Sequence, residues 1–466
     1  MNSMLIVLVL IASAVSEKCY WNDPCVYQYF STKTPYDAIR GDIRDYDKPE
    51  NCEAVSFWSM HRHGNRNPGD SDIKAMRIVA QLKDQIIKSH ESGKGQLCAQ
   101  DIELFRKWTW NETVEVSESY LTGIGYEELY DIGKRIRQTY PKLLTGSDKD
   151  YYFRNTNEQR TVVSAVAFMH GLTDGTNLKV VADDVREKDD VIRAYKNCDK
   201  YNKDVNGGPT VNREIEAFVN SAENIAVRNA VQARLGLDYQ LTLEDVNTFY
   251  EMCRFYRSWA PDLKSPWCAV FTTEDLIVLG YKDDVRHYYR NGYGSWVNVR
   301  LGNLPMKDLY DTFQAATNGS SRKITSYFTH DTMLDMVYCA LGLYKDETSL
   351  LGNNVKHDRL WRTTNTAFSS NLMFVLNRCE QSGSRDYSVQ VFINEKVSDI
   401  CPLSGCTWAE FQKKFQDFTN ADLDFCSLDY PEPLGDIHPF MDGRSSAIAI
   451  KGTLFLLLLQ FALFLR

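Results

Sequence analysis

No two of the 12 cysteines stand with two residues between them, so the zinc-knuckle spacing is missing. Ligand spacing for a metalloenzyme is likewise absent. A basic excess is also missing. The formal net charge is −9, which excludes a general nucleic-acid binder. Any anionic ligand must therefore meet a local basic pocket. Internal repeats and low-complexity stretches are absent, which excludes fibrous and solenoid architectures. What remains is globular in composition: 43% hydrophobic, 12% aromatic and 25% charged residues. The 466 residues allow two or three domains, or one large core with an insertion. That is chain enough for a core without staples.

Neither end carries an apolar run long enough to span a membrane with ease. Met1 to Ser16 is uncharged, its centre Leu5–Ala12 is apolar, and Ala14-Val15-Ser16 supplies small residues for cleavage. Residues 1–16 are expected to be a secretory signal, the alternative being an anchor helix. At the other end Leu454–Leu465 is apolar except for Gln460, and Ser445-Ser446-Ala447 precedes it. Small residues, a short spacer and an apolar tail predict a glycosylphosphatidylinositol (GPI) attachment signal over 446–466 with Ser445 as the site. A C-terminal transmembrane anchor or plain secretion is the alternative. The expected location is the secretory pathway and the outer face of the plasma membrane. In that compartment the even, scattered cysteines read as disulfides. Asn111-Glu112-Thr113 and Asn318-Gly319-Ser320 read as glycosylation sequons.

Val55 to Ser59 alternates like a strand, and His61 to Gly69 is loop-like, with Gly64, Pro68 and Gly69. Ser71 and Asp72 are candidate caps for a helix carrying Ile73, Met76, Val79, Leu82 and Ile86 on one face. Gly125–Thr139 and Thr161–His170 read as helices, and Tyr151–Phe153 as a short strand. Asp184 to Tyr250 is mostly helical and charged. Ile324–Thr329 is a strand and Met333–Leu343 a helix. Asn371–Leu376 and Ser388–Ile393 are late strands. Strands alternating with helices predict an α/β sheet covered on both faces.

The chemistry concentrates in Arg62-His63-Gly64-Asn65-Arg66-Asn67-Pro68, between a strand and a helix start. Amides and the dipole at a helix N-terminus favour an anion. Two guanidinium forks match phosphate oxygens. Gly64 is expected to let the backbone approach a ligand. An imidazole among arginines resists protonation and keeps a ring nitrogen free to attack. A bare Arg-His-Gly is most simply a capped turn. The five fixed residues of Arg-His-Gly-x-Arg-x-Pro arise by chance in roughly one chain in ten thousand of this length. His330-Asp331 follows the strand Ile324–Thr329 and precedes a helix. Alone it is an ordinary helix start. Beside the first motif it places a second histidine and a carboxylic acid at the carboxyl end of a neighbouring strand.

With these strings the chain resembles the histidine phosphatases of the acid-phosphatase and phytase branch. Within that branch it is similar to the multiple inositol polyphosphate phosphatases. The likeness runs from about Cys52 to Asp424. It is carried by Arg62–Pro68, by Phe153-Arg154 through Arg160 to Ala165, by Lys264–Cys268 and by Tyr289–Gly294. It implies His63 as nucleophile, and Arg62, Arg66, Arg160 and His330 as a phosphate clamp. It implies Asp331 as general acid. No metal or other cofactor is expected, because the arginines supply the positive charge. Arg154 is a candidate contact to a second substrate phosphate, or else a surface or ion-paired arginine. Many members of the subgroup have His-Ala-Glu where this chain has His330-Asp331-Thr332. An acid one position earlier and one methylene shorter bears on substrate preference more than on reaction type.

The implied fold is a large α/β sandwich domain over 17–175 and 295–440, with a mixed, mostly parallel sheet. A smaller all-α cap is inserted at 176–294. The implied disulfides are Cys52–Cys379, Cys253–Cys268, Cys401–Cys406, Cys198–Cys426 and Cys19–Cys25, with Cys98 and Cys339 unplaced. The expected activity is metal-independent hydrolysis of inositol hexakisphosphate and lower inositol polyphosphates. The alternative is a general acid phosphatase acting on phosphoproteins, lysophospholipids or small sugar phosphates. The only expected partners are a small phosphate-ester substrate and, through the lipid anchor, a membrane. A cell-surface binding module on an inactive scaffold would have lost a nucleophile or clamp residue. Arg62, His63, Arg66, Arg160, His330 and Asp331 are all present.

Overall fold

A computed structural model describes Cys19, residues 27–381 and residues 384–432. The expected signal at 1–16, Cys25, Ser445 and the tail at 446–466 lie outside the described residues. In chain order the strands are β1 (Cys52–Arg62), β2 (Tyr151–Asn155), β3 (Ile324–Thr329), β4 (Asn371–Gln381), β5 (Ser384–Ile393), β6 (Lys396–Val397) and β7 (Cys406–Thr407). The helices begin with α1 (Asp70–Ala80), α2 (Lys83–Glu91), α3 (Ala99–Lys107), α4 (Gly123–Thr139), α5 (Gln159–Thr173) and α6 (Pro209–Val219). They continue with α7 (Ala222–Leu235), α8 (Leu243–Trp259), α9 (Thr273–Arg290), α10 (Trp296–Thr317), α11 (Asp331–Ala340) and α12 (Trp408–Phe415).

The strands form one sheet in the order β2-β3-β1-β4-β5-β6, with β7 paired to β5. Among these strands, parallel pairing is confined to β2-β3-β1, and every other pair is antiparallel. The sheet is therefore mixed, as expected, with a smaller parallel share than expected. The late strands β4 and β5 are joined by a short connection, which returns the chain antiparallel; only a crossover can give parallel neighbours.

Side chains on β4 show why both faces are covered. Leu372, Phe374 and Leu376 pack with residues of α10, α11 and α12. Met373 and Val375 pack with residues of α4 and α5. Successive strand residues point to opposite faces, so a strand apolar at every position must be buried on both. A third core unites residues of α6 to α9 with Met76, Val79, Ile86, Ile102 and Phe105 of α1, α2 and α3. The helical layer thus reaches back to residues well before 176. Among the described residues no helix is long and apolar enough to cross a membrane.

Local signals start these helices. Thr242 with Asp245, Thr272 with Asp275 and Thr407 with Glu410 form reciprocal capping boxes on α8, α9 and α12. Gly69, rather than Ser71 or Asp72, precedes α1. The helix begins two or three residues earlier than expected, and Asp70 and Asp72 fall in its first turn, where they answer the dipole.

Four of the expected disulfides are present: Cys52–Cys379, Cys198–Cys426, Cys253–Cys268 and Cys401–Cys406. Cys19 bonds Cys98, not Cys25. Cys98 precedes α3, so the bridge ties the N-terminal segment to the helical layer, a tertiary contact that spacing along the chain does not reveal. Cys339 is a free, buried thiol.

Candidate active site

The site forms at one end of the sheet, where the chain leaves β1, β2 and β3 and enters β4. Arg62 at the end of β1 pairs with Thr329 at the end of β3. His63 and His330 therefore emerge side by side from parallel neighbours, at the end where α/β sheets bind ligands. The His63 amide donates to the Thr329 carbonyl at 3.0 Å, and the Thr156 amide after β2 donates to Phe328 at 3.2 Å. From the other side, Ser369 donates its amide to the His63 carbonyl at 3.0 Å.

His63 is 2% exposed, and its Nδ1 lies 2.8 Å from the Gly64 carbonyl oxygen. A carbonyl only accepts, so Nδ1 carries the proton and the neutral ring keeps its Nε2 lone pair. Burial, then the charges of Arg62, Arg160, His330 and Arg66, hold the imidazolium far below its ordinary range. Gly64 serves the fold. A Cβ there would overlap the backbone of Gly125 on α4, and one on Gly125 would overlap Asn65. The two glycines let the loop lie directly on the helix, where Ser164 of α5 accepts from the Gly64 amide at 3.0 Å.

Arg62 is 1% exposed and fixed on several sides. Its Nη1 donates to the carbonyls of Thr32 and Thr366, its Nη2 pairs with Asp331 at 3.0 Å, and its guanidinium lies over Phe368. Arg66 donates to the Asn67 carbonyl and sits over the Phe255 ring at 5.9 Å, with Lys33 over the same ring at 5.8 Å. Burial, aided by Arg160 and Arg62, pushes Arg66 down to about 10. It therefore stays a cation at neutral pH.

Arg160 lies in the first turn of α5, with Nη2 3.5 Å from His330 Nδ1. His330 precedes α11, and its ring centroid is 5.6 Å from that of His63. Its Nε2 is 3.2 Å from Glu158 and 3.1 Å from the Thr156 hydroxyl. The carboxylate fixes the proton on Nε2 and leaves Nδ1 facing Arg160. Burial lowers the ring's basicity, and the Glu158 hydrogen bond only partly opposes it. Asp331 opens α11. Burial would raise its carboxyl, but Arg62 and then the histidines around it hold it far below the usual carboxylate range.

All six expected groups thus meet in one place, and Arg154 does not join them. It is 3% exposed and forks onto Asp189, with Nε–Oδ2 and Nη2–Oδ1 both 2.8 Å. Asp189 also accepts from the amides of Val191 and Ile192. The pair fixes the segment after α5 that carries Arg193, and Arg193 in turn holds Glu158 at 2.9 Å.

The decisive match is over residues 57–394, to the family model described as the histidine phosphatase superfamily, branch 2. The chain belongs to that family. It is a phosphoric monoester hydrolase by its relatives. Multiple inositol polyphosphate phosphatase 1 of Drosophila melanogaster is 30% identical over 435 residues, covering 90% of this chain and 92% of the relative. A thiamine-repressible acid phosphatase of Schizosaccharomyces pombe is 26% identical, covering 81% and 82%. The crystal structure of the phytase from D. castellii shares the fold with a TM-score of 0.66 at 17% identity, covering 88% and 92%.

Sequence reading missed Thr156, Glu158, Glu128 and Ser369. Glu158 lay inside a quoted string, but its partners Arg193 and His330 are 35 and 172 residues away. Among the described residues, the cluster of potential metal ligands is Cys19, Cys98 and Asp101, and its two sulfurs are joined in a disulfide.

Proposed function

We propose that the protein hydrolyses inositol polyphosphates, inositol hexakisphosphate and lower forms, through a phosphohistidine on His63. The observation that carries this reading is the His63 tautomer: Nδ1 committed to the Gly64 carbonyl, Nε2 free among guanidinium groups. Nε2 attacks phosphorus while Arg62, Arg66 and Arg160 take the phosphoryl oxygens. His330 reaches an oxygen as a donor once its Nδ1 is protonated, a state that the phosphate's own charge favours. Asp331 sits against Arg62 and gives a proton to the leaving alkoxide. It then receives one from the water that cleaves the phosphohistidine. No metal ion is needed in this scheme.

Two things favour a substrate with several phosphates. A cationic group stands past the clamp, where half-buried Lys33 lies over the same Phe255 ring as Arg66. The 30% identical relative bears the inositol polyphosphate name. The acid-phosphatase alternative draws on the His330-Asp331 pairing and on the yeast relative. The test is phosphate release from inositol hexakisphosphate and from an aryl phosphate, with a chelator present. Release from both is expected, faster from the first. His63→Ala is expected to lose at least about a thousand-fold. Release from the aryl ester alone would decide for the acid phosphatase, and an active His63→Ala would sink the phosphohistidine.

The same reading places the enzyme outside the cell. Asn111 and Asn318 are exposed and open to glycosylation, and the disulfides suit an oxidising compartment. GPI attachment at Ser445 predicts release from cells by a phosphatidylinositol-specific phospholipase. Retention with the tail peptide still attached would exclude it.

A further inference from the structure

His287 is an imidazole beside Asp331 that the steps above leave unused. It lies in the last turn of α9. Its Nδ1 is 2.7 Å from Asp335 Oδ2, and Asn291 donates to the same oxygen at 3.1 Å. The other oxygen, Oδ1, accepts from the Thr366 hydroxyl at 2.9 Å, and the Thr366 carbonyl accepts from Arg62. Asp335 is 2% exposed, so its orientation is fixed on both oxygens. With Nδ1–H committed to Asp335, the other ring nitrogen, Nε2, forms no hydrogen bond or ion pair among the described residues, and the side chain is 12% exposed.

Asp331 and Asp335 are four residues apart on α11, hence neighbours about 6 Å apart on one helix face. A ring hydrogen-bonded to Asp335 therefore lies alongside Asp331. We propose that His287, oriented by Asp335, is the proton reserve of Asp331. This inference rests on the phosphohistidine reading above. His287 acts through Asp331 and does not touch the substrate.

The need is set by Arg62. Its guanidinium keeps Asp331 ionised in the empty site, and an ionised acid has no proton to give. The imidazolium of His287 passes its Nε2 proton through an intervening water to the Asp331 carboxylate as a substrate phosphate claims Arg62. Asp331 delivers that proton to the leaving oxygen while the P–O bond breaks and the bond from phosphorus to His63 Nε2 forms. His287 is then neutral. In the second half a water attacks phosphorus, the N–P bond breaks, and the water's proton returns through Asp331 to His287. Protons balance over the cycle, with no outside reactant except water.

The charged groups facing His287 agree with that role. Asp335 and Asp331 face it from α11, and Asp283 from its own helix. Tyr201 stands near the same two α11 carboxyls and pairs with Arg290. Burial opposes the imidazolium, but Asp335, then Asp331 and Asp283, outweigh it and hold the ring above its ordinary value.

The experiment compares two esters. Inositol hexakisphosphate leaves as an alkoxide and needs a proton; p-nitrophenyl phosphate leaves as a stable phenolate and does not. His287→Gln, whose amide can still reach Asp335, should lower kcat on the inositol substrate about 10- to 100-fold. Turnover of the aryl ester should stay within about 2-fold, because its second half needs only the already ionised Asp331 as base and the proton can leave to solvent; this also reports an intact fold. The alkaline limb of kcat on the inositol substrate should disappear from its wild-type position. Asp335→Asn keeps the imidazole but removes a stabilising charge, so its alkaline limb should move to lower pH. Equal losses on both esters with an unmoved limb would reduce His287 to a structural residue. No loss on either would overturn the inference outright. Wild-type turnover of neither ester would overturn the functional reading, and this inference with it.

Discussion

Glu128 and Asp331 are carboxyls on opposite sides of the same loop, and their surroundings drive them apart. Glu128 accepts from the Asn65 amide, the Ser369 hydroxyl and the Tyr36 amide, so it stitches the nucleophile loop to two other segments. Burial outweighs those donors and pushes it up from 4.5 to about 7. Asp331 meets burial too, but Arg62 stands 3.0 Å away and wins. In mildly acidic solution the group facing the substrate is charged and the group behind the loop is not. The sign for stability follows from linkage. A carboxyl whose folded value is raised stabilises fully below its unfolded value of 4.5 and loses that contribution as pH rises through about 7. Between about pH 5 and about pH 8 the wild type should lose about 2 kcal/mol that Glu128→Gln does not. Urea midpoints at the two pH values measure this, and identical losses in both proteins would contradict it.

Helices α4 and α5 bury one face of the sheet and also deliver Glu128, Arg160 and Ser164 to the site. They do so with their backbones in contact. A Cβ on Gly133 would overlap the Phe168 carbonyl, and one on Gly171 the Tyr130 carbonyl. Gly171→Ala should push the pair apart and cost about 1–3 kcal/mol, with a parallel loss of activity as Arg160 retreats. A variant as stable and active as the wild type would show that the helices separate freely. Elements of this kind were the legible part of the sequence. Ile324–Thr329 is a strand to the residue, and β1, α4 and α5 extend the expected segments by a few residues at their ends. Their apolar periodicity is local, so a single segment states it. The motif residues were legible for the same reason, since parallel strand ends place His63 and His330 together once the strands are known. Arg154 was not. Its partner Asp189 sits on a segment without periodicity, and only the folded chain shows that the fork is filled from within. Cys19 with Cys98 and His287 with Asp335 were hidden likewise, each being a pair that only tertiary packing makes.

At the scale of the whole molecule two fields oppose each other. The chain carries a net −9, while the site gathers Arg62, Arg66 and Arg160 around the neutral imidazole of His63, with Lys33 beyond Arg66. A substrate with many phosphates feels the molecule's repulsion at long range and the cleft's attraction at short range. The Debye length falls from about 10 Å at 0.1 M salt to about 3 Å at 1 M. Moderate salt therefore removes the distant repulsion first. Higher salt then screens the rim beyond the clamp, where Lys33 would meet a further phosphate of the substrate. The transferred phosphate itself is shielded from salt, because Arg62 and His63 are buried. It follows that kcat/KM for inositol hexakisphosphate should fall about 10-fold between about 0.1 M and about 1 M sodium chloride. For a single-phosphate aryl ester the change should stay within about 2-fold, and kcat for either should hardly move. Lys33→Gln should reproduce the salt effect at low ionic strength for the inositol substrate alone. A salt dependence shared equally by both esters would mean that the rim does not read additional phosphates, and would favour the general acid phosphatase.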